Sequence, residues 1–316
     1  MLRKEDCVLV RGLHNNRMSA IRPSLLPAAI AALINATVWG LAWLPLKWLE
    51  SHGVGTLWTT LCVFSACTLA VLAARPGVMR RSFAAPQLLW IMLASGVTNA
   101  CFNLALATGD VVRSVLLFYL MPMWVVLLAR WLLHEPVTGA ALGRIALALA
   151  GAMMVLGEGR WVLPLPTSAT DWLAVVAGFS FGLNNVLLRK FADLPDDVRS
   201  LAMFSGAVFC VPVAITLLAF VGQAPSWAPQ STAWLVLVLF ALAVLLGNLA
   251  LQYAATRLRA NALSVLMLAE ILVAALSSWW AGAAHMTGST VAGGLLIIGA
   301  SLSAIITRRS TPRGAH

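Results

Sequence analysis

The residues that could do chemistry lie inside long apolar stretches of the sequence, and one of them is acidic. Glu270 is the only acidic residue placed deep in such a stretch, whereas Asp110, Glu135, Glu158 and Asp171 sit at the ends of others. A carboxyl group in hydrocarbon is either neutral or paired, because an isolated charge there is costly. We therefore expect the Glu270 carboxyl group either to contact a ligand's ammonium group or to take up a proton. The structural alternative is a protonated side chain bonded to a neighbouring helix.

Amide and aromatic side chains recur at four-residue spacing in the same stretches, which places them on one face of a helix. Unpaired polar groups are costly in lipid, so such a face turns toward other helices or a water-filled cavity. For each asparagine, substrate contact and helix packing are both open. Trp39 is the stronger binding candidate, because its expected depth is too great for the interfacial tryptophan belt. The candidate binding residues are Trp39, Trp43, Asn99, Asn103, Tyr119, Asn185, Asn248, Tyr253 and Glu270.

A proline interrupts the apolar run 112–133. Pro122 follows Tyr119 by about one helical turn. Proline removes a backbone hydrogen bond and bends its helix, which a membrane tolerates where neighbours or water satisfy the freed carbonyl. The two residues predict a helix that lines an aqueous cavity and flexes during gating. Gly40 and Gly182 are further candidate hinge positions, and the pair Gly178 and Gly182 has a spacing that permits close helix approach.

Other kinds of site leave no pattern in the sequence. It contains no HExxH, GxSxG or Walker motif, and its five cysteines include no CxxC pair. We therefore expect neither a catalytic centre nor a metal or other cofactor. The net charge of +10 would suggest nucleic acid binding in a soluble protein. Here the basic residues lie mostly in short gaps between apolar runs, which indicates membrane orientation instead, so we expect no nucleic acid partner.

The composition is that of a membrane protein, with 61% hydrophobic and only 10% charged residues. Soluble domains carry about 25% charged residues, and a bilayer is crossed by helices of roughly 20 apolar residues. The first apolar run is too long for the core of a cleaved signal peptide. Ten apolar segments can be marked, at 24–49, 56–74, 86–107, 112–133, 139–157, 170–190, 199–221, 232–254, 261–283 and 289–307.

Lysine and arginine are distributed unevenly between alternate gaps. If the N-terminus is cytoplasmic, the outer loops hold only Arg113 and Arg160 of the 21 basic residues. An excess of positive charge marks the cytoplasmic side of a membrane protein. This pattern predicts an even number of helices, both termini in the cytoplasm and a multi-pass protein of the bacterial inner membrane.

The two halves of the chain resemble each other. WGLAWLPLK at 39–47 aligns without a gap with FGLNNVLLR at 181–189, and NLAL occurs at 103–106 and again at 248–251. Five helices per copy is an odd number, so the second copy must be inverted in the membrane, as in many secondary transporters. The predicted organisation is a tail at 1–22, a five-helix repeat at 23–160, an inverted repeat at 161–308 and a tail at 309–316.

The run MPMWVVLLARWLLHEPVTGAALGRIALALAGAMMVL at 121–156 resembles the signature of the drug/metabolite transporter superfamily, EamA type. Pro122 and Glu135 occupy that family's proline in helix 4 and its acidic turn, and Trp39, Gly40 and Lys47 resemble its first-helix pattern. LAEILVAALSSWWAG at 268–282 resembles the counterpart in the second repeat, with Glu270 in place. The YddG-type exporters of aromatic amino acids are the most similar branch.

The sequence departs from that family pattern at two places. Ile271 stands where the family has a proline, and the acidic residue expected after helix 9 is missing near Ala284 and His285. The resemblance implies an all-α basket of ten helices in two inverted five-helix repeats. Helices 1, 3, 4, 6, 8 and 9 would surround the cavity, and helices 5 and 10 would sit beside it.

These observations predict a secondary transporter rather than an enzyme. It would export small amphipathic metabolites, with amino acids including aromatic ones as the first choice, by alternating access through a central cavity. The alternatives are a carrier for another solute, such as a drug cation, purine or sugar derivative, and an integral-membrane enzyme. The expected partners are the small-molecule substrate and membrane lipid. The oligomeric state, a monomer included, is left open.

Overall fold

The computed structural model describes residues 25–157, 165–283 and 285–306, and these residues form fourteen α-helices. The predicted tails at 1–22 and 309–316, as well as Arg160 and Ala284, lie outside the described residues. The helices are α1 (Leu26–Leu41), α2 (Trp43–Ser51), α3 (Thr56–Ala74), α4 (Val78–Phe83), α5 (Leu88–Thr108), α6 (Val111–Phe118), α7 (Met121–Leu132), α8 (Gly139–Leu156), α9 (Ala169–Lys190), α10 (Asp196–Phe220), α11 (Ala233–Arg257), α12 (Ala260–Met267), α13 (Ala269–Trp280) and α14 (Gly288–Ile306).

Within the described part of the chain, nine helical spans are long and apolar enough to cross a membrane. Three of them combine two helices each, namely α1 with α2, α6 with α7, and α12 with α13. In α14 the apolar helix is shorter and covers 288–304. For the described residues, the structure confirms an all-helical architecture with many helices that are long and apolar enough to cross a membrane, while the total of ten stays a prediction.

The side chains are arranged as expected for a helix bundle in lipid. Large apolar residues such as Phe83, Phe220 and Trp280 are exposed on the outside, whereas amides such as Asn35 and Gln252 are buried between helices. Polar groups in hydrocarbon need partners inside the protein, and apolar side chains do not. The apolar exterior therefore matches a lipid environment.

Two spans are broken near their middle in the same way. An eight-residue helix is followed by a twelve-residue helix in both α6–α7 and α12–α13, with the breaks at Tyr119–Leu120 and at Leu268. Pro122 stands in the first turn of α7, where it needs no N–H donor. The sequence predicts a bend at Pro122, and the structure has a full interruption of the helix just before it; its role in gating stays a prediction. The second break contains no proline. Its backbone turns through a hydrogen bond between residues three apart, from Leu268 N to Val265 O at 3.2 Å.

Glycines of the other half of the chain pack against both breaks. A Cβ built on Gly178 would lie 2.5 Å from the carbonyl oxygen of Phe118. That oxygen loses its usual helical donor because residue 122 is proline. A Cβ on Gly40 would lie 2.6 Å from the carbonyl oxygen of Glu270. Small residues at these two positions therefore let α9 and α1 approach the broken spans closely.

The helices of the two halves interdigitate. In the first half, α5 packs against α9 and α10, and α6–α7 packs against α9. In the second half, α11 packs against α1 and α3, and α12–α13 packs against α1. The helix α8 pairs with α14. A Cβ added to Gly151 would lie 2.5 Å from Gly293 O, and a Cβ added to Gly293 would lie 2.5 Å from Gly151 O. The bundle core thus consists mainly of contacts between the two halves.

Candidate functional site

A cavity of about 420 Å³ lies among the spans. Its walls include residues of α1, α5, α6, α9, α11 and α13, which belong to the six spans that the family resemblance assigns to the cavity. The helix α3 also contributes, through Thr60, Val63 and Phe64, and Met203 of α10 and Leu156 of α8 add further contacts. More helices therefore line the cavity than the six that the family resemblance implies.

The cavity extends from the middle of the bundle toward one end. Leu46, Leu106, Val111 and Ser278 line it on that side, close to where α2 and α5 end and α6 begins. In the orientation that the basic residues predict, this side is the outer one. We call it the open end, and the opposite side, near residues 190–200 and 257–260, the closed end.

Most of the binding residues predicted from the sequence meet in this cavity. The lining includes Trp39, Trp43, Asn99, Asn103, Tyr119, Asn248 and Glu270. These residues come from both halves of the chain, so the fold brings together side chains that are far apart in sequence.

Two predicted binding residues do not line the cavity. Asn185 is buried between helices, and neither of its amide atoms is hydrogen-bonded to another described residue, while its neighbour Asn184 is on the wall. One residue turns a helix by about 100°, so the neighbouring position takes the cavity face. Tyr253 is exposed, and the Arg257 guanidinium lies 3.7 Å from its ring centre. The cavity face of α11 continues instead through Leu251.

Tyr119 and Glu270 meet at the two helix breaks. The Tyr119 hydroxyl donates a hydrogen bond of 2.6 Å to Glu270 Oε1. Tyr119 is the C-cap of α6, and Glu270 lies in the first turn of α13. The breaks therefore place a phenol and a carboxyl group from opposite halves in direct contact on the cavity wall.

Three lining asparagines use their amide nitrogens in the same way. Nδ2 of Asn99 donates to Ser95 O at 2.9 Å, Nδ2 of Asn103 to Asn99 O at 2.7 Å, and Nδ2 of Asn248 to Val244 O at 2.9 Å. Only the nitrogen of an amide can donate to a carbonyl oxygen, so these bonds fix the orientation of each side chain. The three Oδ1 atoms are left as acceptors.

An aromatic surface forms the other part of the wall. The ring of Phe118 lies 4.6 Å from that of Phe102, 5.5 Å from that of Phe181 and 5.6 Å from that of Tyr119, between centroids. Trp43 is held by a 3.0 Å bond from Nε1 to Ser277 Oγ. The sequence-based candidates lack Phe102 and Phe118, although Phe102 follows Asn99 by three residues on the same helix and Phe118 adjoins Tyr119.

Polar bonds join helices at the closed end. Met203 and Leu251 form the cavity floor. Nearby residues in both helices are bonded to each other, with Gln252 Nε2 donating to Ser200 Oγ at 2.9 Å. Arg189 Nε and Glu135 Oε1 form an ion pair at 2.9 Å, which links the end of α9 to the turn after α7. This end contains the acidic turn that the sequence motif predicts.

Arg199 is a buried cation at the closed end. Its side chain is 1% exposed, and its guanidinium donates to Leu188 O at 3.2 Å and contacts Asp196. The helix α10 already begins at Asp196, directly after Pro195. Arg199 therefore lies within the first turns of a helix, where it points into the closed end.

The open end carries contacts that join segments of both halves. Asp171 Oδ2 accepts from Arg113 Nε at 2.9 Å and from Thr167 N at 2.8 Å. The loop after α2 pairs with the loop before α11, through an isolated bridge between Val54 and Trp227. No group of three or more metal-ligating side chains was found among the described residues.

Comparisons with known proteins agree with these features. The model of the EamA-like transporter family matches residues 26–157. A probable terminal-alkyne amino-acid exporter of Streptantibioticus cattleyicolor is 28% identical over 297 residues, which cover 90% of this chain and 95% of that protein. One solved crystal structure, 20% identical in sequence, has the same fold with a TM-score of 0.71 and covers 90% of this chain and 99% of that one. Residues 26–157, which contain the motifs around Pro122 and Glu135, thus match the EamA-like transporter family, in agreement with the resemblance seen in the sequence.

Proposed function

We propose that this protein is a secondary transporter that exports small amphipathic metabolites, amino acids and in particular aromatic ones, by alternating access. The observation that carries the proposal is the cavity itself, in which an aromatic wall faces a carboxyl group and amide oxygens. Such a wall suits a solute with an apolar ring and a polar end. The exporter to which the chain is similar is named for an amino acid as well.

The proposed architecture is two inverted five-helix repeats with both termini in the cytoplasm of a bacterial inner membrane. Its support is the exchange symmetry of the packing, because α5 with α9 corresponds to α11 with α1, and α6–α7 with α9 corresponds to α12–α13 with α1. The two spans that break after eight residues are counterparts in that scheme. Inverted repeats place the substrate site at their interface, which is where the cavity lies.

In the binding mode that we propose, Trp39 and the Phe118 cluster contact the apolar part of the solute. The amide oxygens of Asn99, Asn103 and Asn248 accept from its polar end. Glu270 binds either the ammonium group or a proton. Because one carboxyl group cannot hold both, this competition would couple export of the solute to uptake of a proton.

Transport requires the closed end to open and the open end to close. In this conformation the polar contacts of Arg189 with Glu135 and of Gln252 with Ser200 hold the closed end together. Rocking of one group of helices against the other would break them, and the glycine contacts at Gly40 and Gly178 would carry the motion to the broken spans. We propose Pro122, Gly40 and Gly182 as positions at which this motion is accommodated.

The proposal is tested by uptake into liposomes that contain the purified protein. A panel of labelled amino acids is offered with and without a pH gradient, and empty vesicles measure leakage. We expect saturable uptake of at least one aromatic amino acid, and a dependence on the gradient if Glu270 exchanges a proton. If no amino acid enters faster than in empty vesicles, the proposed substrate class is wrong.

A further inference from the structure

The charges around the cavity are one-sided. Among the described residues that line it, Glu270 is acidic, and none is a lysine, arginine or histidine. Arg113, on the helix of the lining residues Val111 and Val115, is turned to Asp171 instead. Arg199, near the floor, is fully buried against Asp196 and Leu188 O. A free amino acid carries both an ammonium and a carboxylate. The described lining offers an acidic side chain to the ammonium and no basic side chain to the carboxylate.

The hydrogen-bonding groups add to the same asymmetry. Asn99, Asn103 and Asn248 each commit an amide hydrogen to the helix backbone and offer Oδ1 as an acceptor. Trp43 also has its donor engaged, by Ser277. An ammonium group has three donors and no acceptor. The described lining of the cavity therefore offers an ammonium a carboxyl group and amide acceptors, whereas a carboxylate finds only neutral donors.

We infer that this carrier recognises its substrate by the ammonium group and does not require the carboxylate, so that its substrate class is apolar primary amines, of which amino acids are one kind. The inference rests on the proposed transport function and narrows it. The ammonium would bind beside the Glu270 carboxyl group, where the Tyr119 hydroxyl donates its hydrogen bond. The carboxylate of an amino acid would point toward the open end, where water can solvate it.

The test is a competition experiment in the same liposomes. The labelled probe is the aromatic amino acid that moves fastest in the panel. The competitors are its carboxamide, its decarboxylated amine and its deaminated acid, which share one ring and differ in charge. We expect the amide and the amine to compete within about threefold of the parent amino acid. The acid should compete at least about tenfold less well, since a hydrogen bond to a charged group is worth about 1.5–3 kcal/mol and 1.4 kcal/mol is a factor of ten.

A matched pair of variants assigns the effect to one carboxyl group. Glu270→Gln keeps the size of the side chain and removes the charge, so the amine should lose its advantage over the acid. Glu50→Gln makes the same change on an exposed residue of α2 outside the cavity, and its competition profile should equal that of the unaltered protein.

Each outcome decides the question. Competition by the acid, or failure of both the amide and the amine when the parent amino acid is transported, overturns the inference and leaves the proposed function intact. A preference for amines that persists in Glu270→Gln also overturns it, because the recognising group then lies elsewhere. If the unaltered protein transports no amino acid at all, the proposed function fails first and the inference fails with it.

Discussion

Tyr119 and Glu270 are joined by a 2.6 Å hydrogen bond between two residues that each lie at the break of a membrane span. The break in α6–α7 and the break in α12–α13 come from opposite halves of the chain, so this single bond connects the halves on the cavity wall. Any movement that separates the broken spans must stretch it. The pair is therefore well placed to link substrate binding to a conformational change.

Removing only the hydroxyl tests this link. In Tyr119→Phe the ring and its contacts with Phe118 remain, and Glu270 loses its partner. A hydrogen bond to a carboxyl group contributes about 1–3 kcal/mol, so we expect kcat/KM for the best substrate to change by roughly five- to a hundredfold. Initial rates of uptake over a range of concentrations give that ratio. An unchanged ratio would mean that the bond has no part in the transport cycle.

The aromatic wall predicts selectivity for rings. Trp39→Leu removes a ring from the cavity and leaves an apolar side chain of ordinary size. An aromatic pair contributes about 0.5–1.5 kcal/mol beyond the area it buries, so uptake of an aromatic amino acid should fall roughly two- to tenfold relative to leucine. Trp131, which is 76% exposed on the lipid side of α7, supplies the control. If Trp131→Leu changes the ratio of aromatic to aliphatic uptake as much as Trp39→Leu does, the effect does not arise in the cavity.

Replacing Gly178, which packs against the first break, should destabilise the protein. In Gly178→Ala the new methyl group would lie 2.5 Å from Phe118 O, and backbone must move to admit it. Overpacking of this kind costs about 1–3 kcal/mol, and thermal unfolding of the purified protein in detergent should show a lower midpoint. Gly139→Ala is the matched control, because no atom lies within 4 Å of an added Cβ there. Equal midpoints for the two variants would contradict the close packing of α9 against the break.

Weakening the ion pair at the closed end should make the cavity more accessible from that side. Glu135→Gln weakens the pair with Arg189, and a change of about 1 kcal/mol alters a two-state balance about fivefold. In a background without native cysteines, Met203→Cys on the cavity floor should react faster with an impermeant thiol reagent applied from the closed end. Arg81→Ala breaks a more exposed pair with Asp197 on the same side and serves as the control. Equal labelling rates with and without Glu135→Gln would show that the Arg189 pair does not hold this end.

The sequence predicts the features that follow from local chemistry. Apolar runs locate the membrane helices, Pro122 marks one helix break, and the four-residue spacing of Asn99 and Asn103 indicates a polar helix face. Other features depend on packing between halves. The break at Leu268 has no proline, and beside it Gly40 of the other half packs closely against Glu270 O.

Two predicted binding residues lie off the cavity for the same reason. Asn184 and Asn185 are adjacent, and only the rotation of α9 against α6 and α7 decides which of them faces the cavity. Tyr253 adjoins Gln252 on α11, but the cavity face passes through Asn248 and Leu251 instead. When two polar residues are adjacent in a helix, the spacing of polar residues in the sequence is consistent with either one facing the cavity. It therefore cannot determine how the helix is rotated about its axis.

The most direct test of alternating access is counterflow in liposomes. Vesicles that contain the protein are loaded with the unlabelled form of the best amino acid, and entry of a trace of labelled amino acid is followed without any ion gradient. A single cavity that opens to each side in turn predicts faster labelled entry with loading than without it, with saturation at high concentration. Equal entry into loaded and unloaded vesicles, rising linearly with concentration, would contradict the account.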